Sequence, residues 1–205
     1  MRKIFCLLGI LFSTSALAVE NTAEVWSTNK VSAPLHGKHL SFAVEQEIRA
    51  RNSYGIYYSH SDFGIYNNSL DNISFSLNFR EVFETRDGWF AEHRPHFNVG
   101  CKDSFGKFVL SNRFRVELRT YEIYDTSMRY RNKLEFGLKV KKSYFFVNDE
   151  IFFTHSDVPR NRNCLGMSYK TTDSLKLSLS YLLQQNFKEV LILNHAAHIK
   201  FGLKI

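Results

Sequence analysis

Residues Ser111–Val140 read SNRFRVELRTYEIYDTSMRYRNKLEFGLKV. In the first half charged side chains alternate with Phe114 and Val116, and in the second half they alternate with Leu134 and Phe136. Successive side chains of a strand point to opposite faces, so this stretch predicts two strands, each with one apolar and one charged face. A soluble sheet would bury the apolar face. A transmembrane barrel turns it to lipid and keeps the charges in its lumen.

Similar alternating runs, separated by turn signals, continue through the chain from residue 23. They predict strands near 23–31, 38–50, 53–66, 72–85, 89–102, 107–121, 127–140, 143–154, 160–171, 174–186 and 190–205. Runs of ten or more residues exceed the usual strand length of globular proteins and match a tilted strand that crosses a bilayer. The prediction is an all-β, antiparallel up-and-down β-barrel of outer-membrane type with about ten to twelve strands. Residues 38–205 form the barrel, and residues 19–37 form an N-terminal extension or a first strand.

The connections between these runs alternate in length. Those near 67–71, 103–106, 141–143 and 171–173 are short, and those near 122–126, 154–159 and 185–189 are longer. Outer-membrane barrels place short turns in the periplasm and longer loops outside the cell. The strand beginning near residue 38 is therefore predicted to rise from the periplasm, and the last strand to end there.

A few residues do not fit the pattern. Pro95 interrupts a run, which predicts an edge, a bulge or a local distortion because proline cannot donate to a ladder. Glu81 and Asn132 fall on the apolar face, and the run 143–154 shows no clean apolar face.

The first eighteen residues are predicted to be a cleaved signal peptide. Arg2 and Lys3 precede the apolar run 4–12, and Ala16-Leu17-Ala18 follows with the small residues that signal peptidase requires. Removing the two basic residues lowers the formal charge from +7 to +5. The remaining arginines are spread over alternating strand positions, so with export they argue against nucleic acid as a partner. The predicted location is the outer membrane, with the periplasm as the alternative.

Two cysteines remain in the mature chain, Cys101 and Cys164. They lie far apart in sequence, so a disulfide depends on a geometry that the sequence leaves open. The final run alternates Ala197, Ile199, Phe201, Leu203 and Ile205 with polar residues. Such an ending resembles the signal that the barrel-assembly machinery recognises in outer-membrane proteins. The usual last residue of that signal is Phe, whereas this chain ends in Ile.

Charged residues on the predicted lumen side must pair or stay hydrated, because an unpaired ion in a dry interior costs several kcal/mol. If the loop is centred near Tyr124, Glu117 faces Arg131, Arg113 faces Glu135, and Arg119 faces Arg129. The last pair then needs carboxylates from elsewhere, such as Glu92 or Glu150, or a bound anion. The leading interpretation is that these side chains pair with one another and fill the lumen, which we call a polar plug. The alternative is a small anion bound in the lumen.

Several stretches together resemble a bacterial family known only as domain of unknown function 2490. They are Glu92-His93-Arg94-Pro95, Asn112-Arg113-Phe114-Arg115 with Glu117 and Arg119, Arg129-Tyr130-Arg131-Asn132, Asp149-Glu150-Ile151-Phe152-Phe153, and Arg160-Asn161-Arg162 with Gly166. The resemblance covers roughly residue 40 to the C-terminus. It implies an exported, all-β, barrel-like envelope protein and no established activity. The predicted lumen charge network comprises Glu92, Arg94, Arg113, Arg115, Glu117, Arg119, Arg129, Arg131, Glu135, Glu150, Arg160 and Arg162.

Catalytic and metal-binding interpretations find little support in the sequence. His155-Ser156-Asp157 has hydrolytic residue types, but adjacent residues rarely converge into a triad. His60 beside Ser59 and Ser61 invites comparison with barrel lipid hydrolases, although no acidic partner is identifiable. His93 and His96 differ in strand parity, which argues against a shared metal. We predict no catalytic residue, metal or cofactor. The leading functional prediction is a structural or narrow-pore envelope protein with an arginine–glutamate network in its lumen. The alternatives are a soluble lipocalin-like binding barrel and an outer-membrane lipid hydrolase or acyltransferase.

Overall fold

The computed structural model of the protein describes residues 19–37, 39–52, 55–85, 88–121, 125–155, 157–187 and 191–205. The predicted signal peptide, residues 1–18, lies outside these ranges. Among the described residues no helix is long and apolar enough to span a membrane.

Eleven strands make up the described chain. They are β1 (Val19–His36), β2 (Leu40–Arg51), β3 (Gly55–Asn67), β4 (Ile73–Thr85), β5 (Trp89–Phe105), β6 (Phe108–Tyr121), β7 (Ser127–Val140), β8 (Ser143–Phe153), β9 (Arg160–Lys170), β10 (Leu175–Phe187) and β11 (Leu191–Lys204). Each strand pairs with its neighbours in the sequence, and β1 pairs with β11 to close the barrel. The predicted all-β barrel and its range of strand number are confirmed.

One pairing departs from the antiparallel pattern. Strand β1 runs parallel to β11, from Val19 opposite Leu191 to Ser32 opposite Lys204. Ten antiparallel hairpins in succession leave the first and eleventh strands pointing the same way, so an odd-numbered barrel closes with a parallel pair. The predicted antiparallel barrel therefore holds for ten of the eleven pairs, and one parallel pair closes it.

The connections have two to five residues at one end of the barrel and three to six at the other. The predicted alternation in length is therefore only partly present: both two-residue turns lie at one end, but 52–54, 86–88 and 188–190 at the other end have three residues each. At one end, called the short-turn end, strands are joined by 37–39, 68–72, 106–107, 141–142 and 171–174. At the other, called the loop end, they are joined by 52–54, 86–88, 122–126, 154–159 and 188–190. Gly106 has a φ of 61° in its two-residue turn, a conformation in which glycine carries no steric penalty. Lys141 adopts a φ of 51° in the corresponding turn between β7 and β8.

The faces of the strands are sharply divided in polarity. Interior positions hold buried ionic and amide side chains such as Glu117, Arg131 and Asn98. Exterior positions expose large apolar side chains such as Leu77 and Leu165. The interior is therefore the opposite of the apolar cavity expected for a lipocalin-like barrel.

Glu81 and Asn132, the two residues that broke the predicted pattern, bond to outward-facing neighbours. The Asn112 and Asn132 side chains form reciprocal amide hydrogen bonds of 3.0 and 3.2 Å. The Glu81 carboxylate lies 2.8 Å from Nδ1 of His93. Pairing of β5 with β6 stops at His93 and resumes at His96, so Pro95 sits in a local interruption of the ladder.

Strand β8 has no clean apolar face because its inner face carries aromatic rings. Tyr144 and Phe146 stack with ring centroids 5.9 Å apart. A side chain at Gly137 would overlap the Tyr144 ring, and one at Gly166 would overlap Phe146. Glycines on the two flanking strands therefore make the space that these rings fill.

Candidate functional site in the barrel interior

Glu117 is the centre of the charged interior. It projects inward from β6, is fully buried with 0% of its surface exposed, and accepts hydrogen bonds from three guanidinium groups. Arg129 donates from Nε at 2.7 Å, Arg131 from Nη1 at 2.9 Å, and Arg115 from Nη1 at 3.3 Å. Charge-assisted bonds of this kind are roughly twice as strong as neutral ones.

The pairing of β6 with β7 differs from the predicted register by two residues. Glu117 lies opposite Arg129, Arg115 opposite Arg131, and Arg113 opposite Lys133. The centre of the hairpin thus falls one residue before Tyr124, in a loop segment outside the described residues. A two-residue shift preserves the faces, so Glu117 still reaches Arg131 diagonally. Arg113 does not meet Glu135, and Arg119 does not face Arg129.

Two further carboxylates each bind more than one arginine. Glu92 accepts bonds from Nε and Nη2 of both Arg94 and Arg119, at 2.6–3.1 Å. Glu150 accepts bonds from Arg131 at 2.8 Å and from Arg113 at 2.5 Å. Arg119 therefore pairs with Glu92, one of the two carboxylates predicted as a possible partner, and Arg129 pairs with Glu117, so neither depends on the alternative of a bound anion.

The outer members of the predicted network are held less tightly. Arg162 lies 3.5 Å from Glu150 and donates at 2.6 Å to the Gln184 side chain. Arg160 donates at 2.6 Å to the amide oxygen of Asn186. Glu135 belongs to a separate group, because it binds Lys133 at 2.9 Å and Tyr144 at 3.0 Å. Of the twelve predicted residues, seven form one network around Glu117 and Glu150 and three form a second around Glu92. The other two bond elsewhere, Arg160 to Asn186 and Glu135 to Lys133 and Tyr144.

Sequence reasoning left several inward-facing carboxylates out of the proposed site, among them Glu45, which lies 3.6 Å from Lys200. Asp62 binds Arg80 at 2.7 Å, and Glu47 binds Arg49 at 2.6 Å. Glu24 of β1 accepts bonds from Arg51, Tyr57, Trp26 and Asn194. The alternation of β2 and β4 already placed Glu47, Arg49 and Arg80 on the inner face. No face was predicted for Glu24, because residues 19–37 could be either an N-terminal extension or a first strand.

Aromatic rings and guanidinium groups alternate across the interior. Arg49 lies over Tyr58 at 4.1 Å and over Trp26 at 3.7 Å, measured from Cζ to ring centroid. Arg162 lies 4.9 Å from both Trp26 and Phe152. We call Tyr58, Arg49, Trp26, Arg162 and Phe152 the cation–π stack. Desolvated contacts of this type contribute up to about 2 kcal/mol each.

Phe152 is the most densely surrounded ring of this stack. It is 2% exposed, and four guanidinium carbons lie within 5.6 Å of its centroid, those of Arg129, Arg131, Arg160 and Arg162. The ring separates like charges that would otherwise repel across the barrel.

Unfilled space remains in the interior, with a volume of about 890 Å³, which is within the range of ligand cavities. At the short-turn end a second space of about 580 Å³ adjoins it, and Lys30, Lys102 and Lys176 line both. We call this part of the interior the lysine chamber. Its inward-facing cations are Lys30, Lys102, Lys133, Lys176, Lys200 and Arg113.

The histidines and serines that suggested catalysis are separated by strand parity. His60 faces inward, 3.8 Å from Glu45 and 3.9 Å from Glu47, so it has acidic neighbours that the sequence did not reveal. Ser59 and Ser61 occupy the outward positions on either side of it. His155 and Asp157 lie in the connection after β8, and Ser156 is outside the described residues. His93 faces outward and His96 inward.

Cys101 and Cys164 are free thiols, the first exposed and the second buried. Within the described ranges no group of three histidine, cysteine or acidic side chains is placed to hold a metal ion.

Comparison with known proteins gives a family assignment. A family model described as "Protein of unknown function (DUF2490)" matches residues 23–190. The match takes in most of β1 and all of β2 to β10. No curated protein matches the chain, and no solved structure matches it.

Proposed function

The chain belongs to the DUF2490 family of proteins of unknown function, and from this premise we propose that it is an outer-membrane β-barrel whose lumen is closed by its own arginine–carboxylate network. The match confirms the resemblance seen in the sequence motifs, begins earlier than expected at residue 23, and ends at residue 190 rather than at the C-terminus. The family description assigns no activity, so the proposal is built on the barrel itself.

The observation that carries the proposal is the reversed polarity of the wall. Phe63, Leu77, Phe97, Leu165 and Leu179 are among the exterior residues with more than two-fifths of their surface exposed. Soluble monomers rarely expose contiguous apolar patches larger than a few hundred Å². A wall that is apolar outside and ionic inside suits a lipid surround.

Closure of the lumen is supported by the pairing in its middle. Arg94, Arg115, Arg129 and Arg131 all have less than a tenth of their surface exposed, and each bonds to a carboxylate. Residues locked by several charge-assisted bonds leave few charges free to guide ions through the barrel. We therefore infer a structural role in the envelope, with a narrow pore as the competing outcome.

Orientation and assembly belong to the same proposal. We place the short-turn end in the periplasm, following the rule for outer-membrane barrels. The export signal of residues 1–18 would bring the chain to the periplasm. Outward-facing Phe201, Leu203 and Ile205 at the end of the chain would then supply the element that the assembly machinery recognises.

Fractionation tests the location. Mature protein beginning at Val19 should sediment with the outer membrane and migrate differently on a detergent gel before and after heating. Recovery as a soluble protein that needs no detergent would contradict the membrane location.

Planar-bilayer conductance tests the closure. Reconstituted wild type should conduct little, and Glu117→Gln should raise the conductance by loosening the arginines around it. Large and steady wild-type conductance would favour the pore.

Phe136→Arg on the exterior face serves as the assembly test, because a charge at bilayer depth costs about 2–4 kcal/mol and should reduce the folded yield.

A further inference from the structure

Lysine and arginine are segregated inside this barrel. The interior arginines lie mostly in its middle and toward the loop end, while the lysines lie at the short-turn end. Eight lysines line the space at the short-turn end, against the two carboxylates Glu135 and Asp173. Five of these, Lys139, Lys141, Lys142, Lys170 and Lys204, surround the opening. The opening is therefore strongly cationic.

Some of the lysine chamber's cations are already neutralised. Lys133 lies 2.9 Å from Glu135, and Lys200 lies 3.6 Å from Glu45. Among the described residues, Lys102 and Lys176 have no carboxylate within 4.0 Å of their ammonium groups. Two ammonium groups thus face one concave space without a close ion pair from the described part of the chain, and Glu135 acts on Lys176 only over a longer distance.

Further hydrogen-bond donors border the same space. The Arg113 side chain, about one third exposed, lines the same space while its Nη2 donates to Glu150. The hydroxyl groups of Ser168 and Ser178 lie 2.8 Å apart on neighbouring strands.

We propose that the lysine chamber binds a small soluble anion that carries phosphate groups. A phosphate presents several strong acceptor oxygens, and lysine binds it as a point charge without the fixed geometry that a guanidinium fork imposes. Hydroxyl donors and cations together match that chemistry.

A soluble ligand fits this site better than a lipid headgroup. Lys102 and Lys176 reach into the space inside the barrel wall, which headgroups of a surrounding bilayer do not enter. Cations around an opening also raise the local anion concentration and speed association. The Glu117 network lies beyond the chamber, so the anion would be held there rather than conducted.

Calorimetric titration with pyrophosphate tests the site, using the folded mature protein in uncharged detergent. The key variant is Lys176→Glu, and Lys107→Glu is its matched control. Lys107 lies in the turn between β5 and β6 at the same end but lines neither space. We expect saturable binding that Lys176→Glu weakens about tenfold and Lys107→Glu weakens less than about twofold. Lys102→Gln, with a smaller loss, serves as a second variant should Lys176→Glu fail to fold.

Two results would overturn the proposal. One is the absence of saturable pyrophosphate binding by wild type in low salt. The other is an equal loss in Lys176→Glu and Lys107→Glu, which would indicate diffuse surface attraction.

A second titration, in lipid nanodiscs, distinguishes a soluble phosphate ligand from the phosphate of a lipid headgroup. Binding should persist in nanodiscs when phosphatidylglycerol replaces a neutral lipid, and its abolition there would show that headgroups occupy the site. Titration in detergent does not depend on conductance, so failure here leaves the proposed closed barrel untouched.

Discussion

The middle of the barrel and its short-turn end hold charge inside the same wall in different ways. In the middle, Glu117 and Glu150 bind five arginines between them. At the short-turn end Lys102 and Lys176 have no carboxylate partner among the described residues. Planar guanidinium groups bridge carboxylates and stack on rings, whereas a lysine ammonium is a mobile, strongly hydrated point charge. The difference indicates that the arginine network supports the fold and that the lysine chamber is open to a ligand.

The sharpest test of this comparison removes the central carboxylate. Glu117→Gln should lower the free energy of unfolding by about 3–5 kcal/mol, because buried arginines lose their partner. Denaturant unfolding in detergent, followed by the fluorescence of the buried Trp26, measures the loss. Glu135→Gln is the control from the lysine chamber and should cost less, since its partners are more exposed.

The double variant Glu117→Gln with Arg131→Met should recover at least about 1 kcal/mol, because the stranded charge leaves with its partner. If Glu135→Gln proved more costly than Glu117→Gln, the roles assigned to the two regions would be reversed.

A smaller effect is expected from the ring amid the arginines. Phe152→Leu should lower the free energy of unfolding by about 1–2 kcal/mol, since leucine nearly fills the space but offers no π face to the four guanidinium groups. Phe146→Leu on the same strand is the control, because its stacking partner is Tyr144 and not an arginine. Equal losses in thermal unfolding would mean that packing alone accounts for Phe152.

The turn at Lys141 offers a gain in stability. Its φ of 51° suits asparagine better than lysine, so Lys141→Asn should raise the unfolding free energy by about 0.5 kcal/mol. Lys142→Asn removes the same charge from the same turn without that backbone conformation and should gain less. A matching gain in both would assign the effect to relief of charge repulsion at the opening.

The smallest stability change is expected in the lysine chamber itself. Replacing Lys102 and Lys176 by Gln should shift the free energy of unfolding by no more than about 0.5 kcal/mol, because neither ammonium group has a carboxylate to leave stranded. A loss comparable to that of Glu117→Gln would place these lysines in the structural network after all.

Alternation in the sequence was enough to predict the eleven runs and the division of their faces. Successive side chains of a strand point to opposite faces, so once Phe114 faces outward, Arg115 must face inward. The same rule put Arg129 and Arg131 on the same inner face as Glu117, although the predicted pairing was shifted by two residues. The prediction of faces failed for β8, where Phe152 and Glu150 share the inner face. There an aromatic side chain faces inward because it packs against arginines, so apolar character does not indicate the outer face.

The pattern of a single strand predicts neither how the barrel wall closes nor which charged residues form ion pairs. The parallel pairing of β1 with β11 depends on the strand count, and the Glu117–Arg129 pairing depends on a loop whose centre the sequence does not mark. The sequence by itself determined which residues of a strand share a face, because strand geometry is local. Tertiary structure alone decided which of them meet, and which lysines remain unpaired, because those contacts depend on register and closure across distant strands.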